Sequence, residues 1–295
     1  MDRAALQKQI GELAQAENDT RIIRLAQVRE LAAAFGCPIR EVELTALEAG
    51  VVPWRYLRNL GTVGMEGQAR LLRAAVAVVG LGGLGGYVAE ALARMGVGHL
   101  ILIDSDVFEE HNLNRQVLSA EGRLGASKAQ TAKQHIAEIN SAVEVTAHAA
   151  LLTRENLPAL LAGAAVVVDG LDRLPTRLML QEGAQALGIP LVHGSIAGFL
   201  GQVMTIFPGD PGLRGLYGEA GGLPERGLEA QLGTPAATPM AVAAWEAQEV
   251  VKVLLGRGEP LRNRLLVMDM ESGTVETLHL GEVTGVPEAP AASTR

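Results

Sequence analysis

Four shortages mark the chain, and three of them exclude something. One cysteine in 295 residues excludes a disulfide framework and any cysteine-rich zinc module, and fits a reducing compartment. Aromatic residues make up only 3%. Basic residues are outnumbered, 25 Lys and Arg against 33 Asp and Glu for a net charge of −8. The clustered cations that a sequence-independent grip on nucleic acid needs are therefore missing. Long apolar runs are missing too. The N-terminus, MDRAALQKQIGELAQAEND, is charged and periodic and lacks the apolar core of a signal peptide. The longest uncharged run, 183–209, is broken by Gln185, Pro190, His193, Ser195, Gln202 and six glycines. It reads as two buried strands joined by turns, not as the ~20 apolar residues of a bilayer span. A soluble, cytoplasmic protein is expected, with no membrane or nucleic-acid partner.

Glycine is in surplus: 35 residues, about 12% against a typical ~7%. At 48% hydrophobic the chain is far too apolar for disorder, and its length supports one large domain or two modest ones. Few aromatics and many glycines suggest an α/β protein whose backbone, more than its side chains, touches ligands.

Residues 1–53 carry apolar residues at helical spacing (Leu6, Ile10, Leu13, Ile22, Leu25, Val28, Leu31), punctuated by Pro38 and Gly50. They are expected to form a helical N-terminal extension. A helix-turn-helix reading of the stretch before Gly50 fails on charge, because residues 1–50 hold 6 Lys/Arg and 8 Asp/Glu. From residue 75 strands alternate with helices: AVAVVG (75–80), HLILID (99–104), VEVTAHA, AAVVVDG and PLVHGS. The alternation predicts a Rossmann-like doubly wound α/β sheet, mostly parallel. GQVMTIFPG, NRLLVMDM and TVETLHL read as further strands, antiparallel, toward the C-terminus. The expected organisation is an ATP-binding domain over 54–282, interrupted by a Gly/Pro-rich crossover loop at 208–238, and a disordered tail at 283–295. Loops of that length are lids, binding loops or disordered segments.

Gly80-Leu81-Gly82-Gly83-Leu84-Gly85 follows a strand and opens a helix, and Asp104 closes the next strand. Gly80, Gly82, Gly83 and Gly85 permit a tight turn that brings backbone N–H groups to a phosphate, and the helix N-terminus adds partial positive charge. Asp104 is placed to accept ribose hydroxyls. The loop alone does not separate NAD from ATP. The residues after it bear on that choice: Asn112-Leu113-Asn114-Arg115-Gln116, then Lys128 in a GASK turn. Moving charge onto departing pyrophosphate calls for cations beside it. Arg115 offers a planar fork and Lys128 a mobile point charge. Asp172, just past a strand end, is a candidate magnesium ligand.

GLGGLGG, LIDSD, NLNRQ, GASK and DGLD, in this order, resemble the MoeB/ThiF/HesA family, prokaryotic relatives of ubiquitin-activating enzymes. The likeness covers roughly residues 54–256. It implies ATP- and Mg²⁺-dependent adenylation of the C-terminal glycine carboxylate of a small ubiquitin-like sulfur-carrier protein ending in Gly-Gly. The resemblance assigns the ribose to Asp104, the phosphates to Asn112, Arg115 and Lys128, and magnesium to Asp172. Arg55-Tyr56-Leu57-Arg58-Asn59 is similar to the family's RYxRQ stretch, with Asn59 in place of Gln. The resemblance makes Arg58 the residue reaching a neighbouring subunit's ATP, and so implies a homodimer. The chemistry is positioning and charge stabilisation, so none of His99, His111, His135, His148, His193 or His279 is required.

Two departures from the family narrow the expectation. Its first zinc-binding CxxC pair would fall in Pro211-Gly212-Leu213-Arg214-Gly215-Leu216-Tyr217-Gly218, where glycines stand instead, so no zinc site is expected. Cys37 lies far upstream of the crossover loop and reads as a small apolar side chain. The chemistry is therefore expected to stop at the acyl-adenylate, with a separate sulfur donor. The alternatives left open are a tRNA threonylcarbamoyl-adenosine dehydratase, an NAD-dependent oxidoreductase and a non-catalytic scaffold.

Overall fold

The structure, a computed structural model, describes residues 2–218 and 227–280. It opens with α1 (Arg3–Leu13), β1 (Gln15–Glu17), β2 (Thr20–Ile23), α2 (Leu25–Phe35), α3 (Ile39–Glu48) and β3 (Val52–Pro53). Asp2 caps α1, its carboxylate accepting from the Ala5 N–H at 3.1 Å. The extension thus contains a small sheet, ordered β1-β2-β3, where the spacing predicts helices alone. Asn18, at φ 51°, makes the left-handed turn between β1 and β2. Strands this short carry too few residues to show alternation. Leu6, Ile10, Ile23, Val28, Leu31, Val42, Ala46 and Val51 give the unit its own core.

The larger unit continues with α4 (Leu60–Arg73), β4 (Ala75–Val79), α5 (Gly85–Met95), β5 (His99–Ile103), α6 (Lys128–Ile139) and β6 (Glu144–His148). Next come α7 (Leu157–Leu160), β7 (Val166–Asp169), α8 (Leu174–Ala186), β8 (Leu191–Ala197) and β9 (Leu200–Ile206). It ends with α9 (Gly212–Tyr217), α10 (Glu229–Leu232), α11 (Ala237–Leu255), β10 (Arg264–Asp269) and β11 (Thr274–His279). Leu44 and Leu47 of α3 pack with Tyr56, Ala69 and Leu72, joining the extension to α4.

The eight strands form one sheet in the order β11-β10-β9-β8-β7-β4-β5-β6. Neighbours from β8 through β7, β4 and β5 to β6 run parallel. β8–β9, β9–β10 and β10–β11 are antiparallel. This is the mostly parallel sheet with antiparallel strands toward the C-terminus that the pattern predicts.

Alternation along β4 and β7 sends Val76, Val78, Val166 and Val168 to one layer, beside Leu92 of α5 and Val250 of α11. Ala77, Val79 and Val167 go to the other, beside Leu178 and Ala184 of α8. Fully buried valines contribute on the order of 1.5–3 kcal/mol each, so the central strands anchor the sheet. Chain order reverses between β4 and β7, and the crevice beyond their C-terminal ends is where open α/β sheets bind ligands.

The expected crossover loop is built differently at its flanks. Short helices α9 and α10 occupy 212–217 and 229–232, and α11 begins at Ala237. α9 is docked by Gln181 of α8, whose Oε1 accepts from the Leu213 N–H at 2.7 Å and whose Nε2 donates to the Pro211 carbonyl at 3.1 Å. Residues 219–226 and the tail at 283–295 lie outside the described residues. Among the described residues no helix is long and apolar enough to cross a membrane.

Candidate active site

A cleft of about 1350 Å³ opens at the C-terminal ends of β4, β5, β7 and β8. Its walls include Gly80, Gly82, Gly83, Asp104, Asn112, Arg115, Lys128 and Asp172, which the fold gathers from positions almost a hundred residues apart. Gly85 and Arg58 do not line it.

The glycines of the loop divide into two kinds. A β-carbon on Gly80, at φ +87°, would stand 2.6 Å from the Gly170 carbonyl oxygen, and one on Gly85 would stand 1.8 Å from that of Gly80. These two let three backbone segments cross. A β-carbon on Gly82 or Gly83 would meet only side chains, at 3.6 and 3.5 Å. Those two leave the surface facing the cleft open for a ligand. Gly85, expected among the nucleotide contacts, is instead a packing residue behind the loop.

Asp104 sits at the cleft floor. Its Oδ2 accepts from the Leu81 N–H at 2.7 Å and its Oδ1 from the Asp106 N–H at 2.8 Å. Burial pushes its carboxyl above the usual range, while the two N–H donors and nearby Lys128 pull the other way. Each oxygen retains lone-pair capacity for a hydroxyl donor. Asn112 is buried and closes a short turn, its Oδ1 accepting from the Glu109 N–H at 3.0 Å.

Arg115 is half-buried and steadied by its Nη1, which donates to the His111 carbonyl at 2.9 Å and to Asn114 Oδ1 at 2.8 Å. Burial lowers its pKa and the charge of Asp172 raises it, so the two groups sense each other. Lys128 opens α6, capped by Ser127, whose hydroxyl accepts from the Gln130 N–H at 3.4 Å. Its ammonium is nearly buried and 3.1 Å from Asp106 Oδ2. The sequence reading missed Asp106, because nothing in its spacing marks it as the partner of a lysine 22 residues on.

Asp172 is exposed on the turn after β7. That turn is held from behind by residues the sequence reading also missed. Asp169 Oδ1 accepts from the Leu171 N–H at 3.1 Å, and Arg177 Nε donates to the Leu171 carbonyl at 2.9 Å. Beyond Asp172 the cleft continues along Ser195, Ala197, Gln202 and Tyr217. Ser195 Oγ donates to Gln202 Oε1 across the β8–β9 pair at 3.3 Å.

Among the described residues no group of three or more His, Cys, Asp or Glu is arranged to hold a metal ion. Cys37 is half-buried against the core of the N-terminal unit and away from the cleft. Burial, and then Glu41, push its thiol pKa up, the opposite of an activated nucleophile.

The arrangement has counterparts. A SAMP-activating enzyme E1 of Haloferax volcanii is 41% identical over 229 residues, covering 76% of this chain and 84% of that protein. A sulfur carrier protein adenylyltransferase of Thermus thermophilus is 39% identical over 228 residues, covering 73% of this chain and 82% of that protein. The crystal structure of E. coli MccB with ATP superposes at a TM-score of 0.67 over 77% of this chain and 72% of that one. At 24% identity it shows the fold alone. Residues 56–284, most of the chain, match the ThiF family. The chain belongs to the ThiF family of E1-like adenylyltransferases.

Proposed function

We propose that the chain adenylates the C-terminal glycine carboxylate of a small ubiquitin-like sulfur-carrier protein, consuming ATP and releasing pyrophosphate. The observation that carries this reading is the cleft itself. At one strand switch point it holds an open glycine loop, a largely buried acid at the end of the neighbouring strand, an arginine that senses an exposed carboxylate at Asp172, and a lysine held by Asp106. The two relatives bear names of carrier-activating enzymes, and both match most of this chain.

Asp104 receives the ribose hydroxyls, while Asn112, Arg115 and Lys128 take the phosphate oxygens. The carrier's carboxylate oxygen attacks the α-phosphorus in line, a new P–O bond forms, and the bond to pyrophosphate breaks. No proton changes hands. Arg115 and Lys128 stabilise negative charge as it moves onto the leaving group, a stabilisation greater in a shielded cleft than in water.

Mg²⁺ fits this site, since it is commonly held by one or two carboxylates plus substrate phosphates, and Asp172 is a free-facing carboxylate beside Arg115. It would neutralise phosphate charge there. No zinc is used, because the chain has one cysteine and the α9 stretch carries glycines. With Cys37 away from the cleft, sulfur comes from a separate donor, in molybdenum- or tungsten-pterin cofactor synthesis or a related sulfur-transfer route. The working unit is a homodimer, in which Arg58 reaches the partner's nucleotide. The carrier's extended tail runs along the Ser195–Tyr217 side of the cleft.

Carrier-dependent ATP–pyrophosphate exchange tests the reading. Asp172→Ala and Arg115→Ala each abolish exchange while leaving the fold intact; full retention in both would remove the assignment.

A further inference from the structure

Asp169 and His193 are partners in the parallel register of β7 and β8, and both are completely buried. His193 Nδ1 lies 2.7 Å from Asp169 Oδ2. The carboxylate only accepts, so the proton in that bond belongs to Nδ1. Nε2 is buried and has no hydrogen-bond partner. A charged ring would leave a second N–H unsatisfied there, so the ring is neutral. The buried environment depresses its pKa in the same sense.

Asp169 spends its other oxygen on the Leu171 N–H. Arg177, nearly buried on α8, donates Nε and Nη2 to the Leu171 carbonyl, and its Nε stands 3.8 Å from Asp169 Oδ2. Both backbone polar groups of Leu171 are therefore held by two side chains that face each other. On the opposite side Gly170 is pressed against Gly80, where a β-carbon would stand 2.5 Å from the Gly80 carbonyl oxygen. The turn is pinned from both sides, and the next residue is Asp172.

We propose that His193 is a positioning residue: through its Nδ1–H bond to Asp169 it fixes the turn that presents Asp172 to the nucleotide. Without that donor the Asp169 carboxylate is free to rotate toward Arg177, and its bond to Leu171 is lost. The inference rests on the functional reading for what Asp172 does, but the clamp itself is a property of the protein without ligand.

Three substitutions separate the donor from the volume it fills. His193→Leu fills similar space and donates nothing. His193→Asn places an amide N–H near the position of Nδ1, and His193→Gln places it near that of Nε2. Hydrogen–deuterium exchange over 169–173 reads the clamp directly, and calorimetry with MgATP and with carrier protein reads its consequence.

Leu and Gln are expected to lose protection at Leu171 and to weaken MgATP about tenfold, the lower end for an outer residue that orients a ligating group. Asn is expected to restore both, with carrier affinity unchanged throughout. If His193→Leu does not fold, the Asn and Gln pair decides alone. Equal behaviour of Asn and Gln, or wild-type protection in Leu, would overturn the proposal. Failure of wild-type protein to bind MgATP would instead overturn the functional reading and leave the exchange result standing.

Discussion

Gly85 stands with its α-carbon against the carbonyl oxygen of Gly80, so close that a β-carbon would lie 1.8 Å from it. The neighbour is backbone, which cannot swing away as a side chain can. Gly85→Ala is therefore expected to destabilise the fold by on the order of 3 kcal/mol or more, the upper end for overpacking. Gly82→Ala meets only the end of Gln116 at 3.6 Å, so its melting temperature is expected to match wild type while MgATP affinity falls. Thermal unfolding and calorimetry on the two variants check the division. Equal effects would show that the loop glycines share one role.

Glu43 of α3 is buried, with Arg55 Nε 3.2 Å from its Oε1. Burial raises its pKa from 4.5 to about 7, against the pull of Arg55 and Tyr56. A raised carboxyl pKa means the fold prefers the protonated form. Its contribution is fully present below 4.5 and is lost as the pH climbs to about 7. Glu43→Gln, which imitates the protonated form, is expected to gain on wild type through that window and hold a constant advantage above it. The full difference is on the order of 3 kcal/mol at ~1.4 kcal/mol per pH unit. Denaturant melts at several pH values follow it; an offset independent of pH would contradict it.

Glu246 of α11 lies under Gly194, where a β-carbon would meet its carboxylate 2.4 Å away. Neither of its oxygens has a hydrogen-bond partner. Burial, with Asp169 adding to it and Arg177 opposing, pushes its pKa well above 4.5. The sign is that of Glu43: stability from this site is complete below 4.5 and declines as the pH rises toward the raised value. Glu246→Gln is expected to leave the midpoint unchanged at acidic pH and to raise it in neutral and alkaline buffer. A lower midpoint at high pH would show that the ionised group is stabilised in the fold.

Arg58 does not line the cleft of its own chain, whereas Asp172 does. If the partner subunit completes each site, Arg58→Ala and Asp172→Ala are each inactive as homodimers. Co-expressed, they regain part of the exchange activity, because one of the two sites in a mixed dimer holds both intact residues. No recovery in a preparation shown to contain mixed dimers would place Arg58 outside the reaction.

The central strands of the large sheet were legible because β4, β5 and β7 are short apolar runs that end in, or lead straight into, glycine or acid. Gly80, Asp104 and Asp172 stand just past the C-terminal ends of those three strands. The Asp169–His193–Arg177 clamp was not legible. Its only signal is one polar residue closing each of VVVD and LVH, and their contact is set by strand register across 24 residues. The hairpin at Gln15–Ile23 was hidden because its two strands hold three and four residues. In the glycine loop the sequence supplies the residue type but not its reason. Gly80 and Gly85 answer to backbone crossing, Gly82 and Gly83 to open surface facing the cleft.

Adenylation of a carrier's terminal carboxylate is tested most directly by mass spectrometry. A small ubiquitin-like protein ending in Gly-Gly is incubated with the enzyme and MgATP, and pyrophosphate is measured in parallel. The account predicts an AMP adduct on the terminal glycine, matched by pyrophosphate, and neither product from a carrier whose C-terminal carboxylate is amidated. Tight NAD binding without ATP binding, or pyrophosphate release indifferent to the carrier, would contradict it.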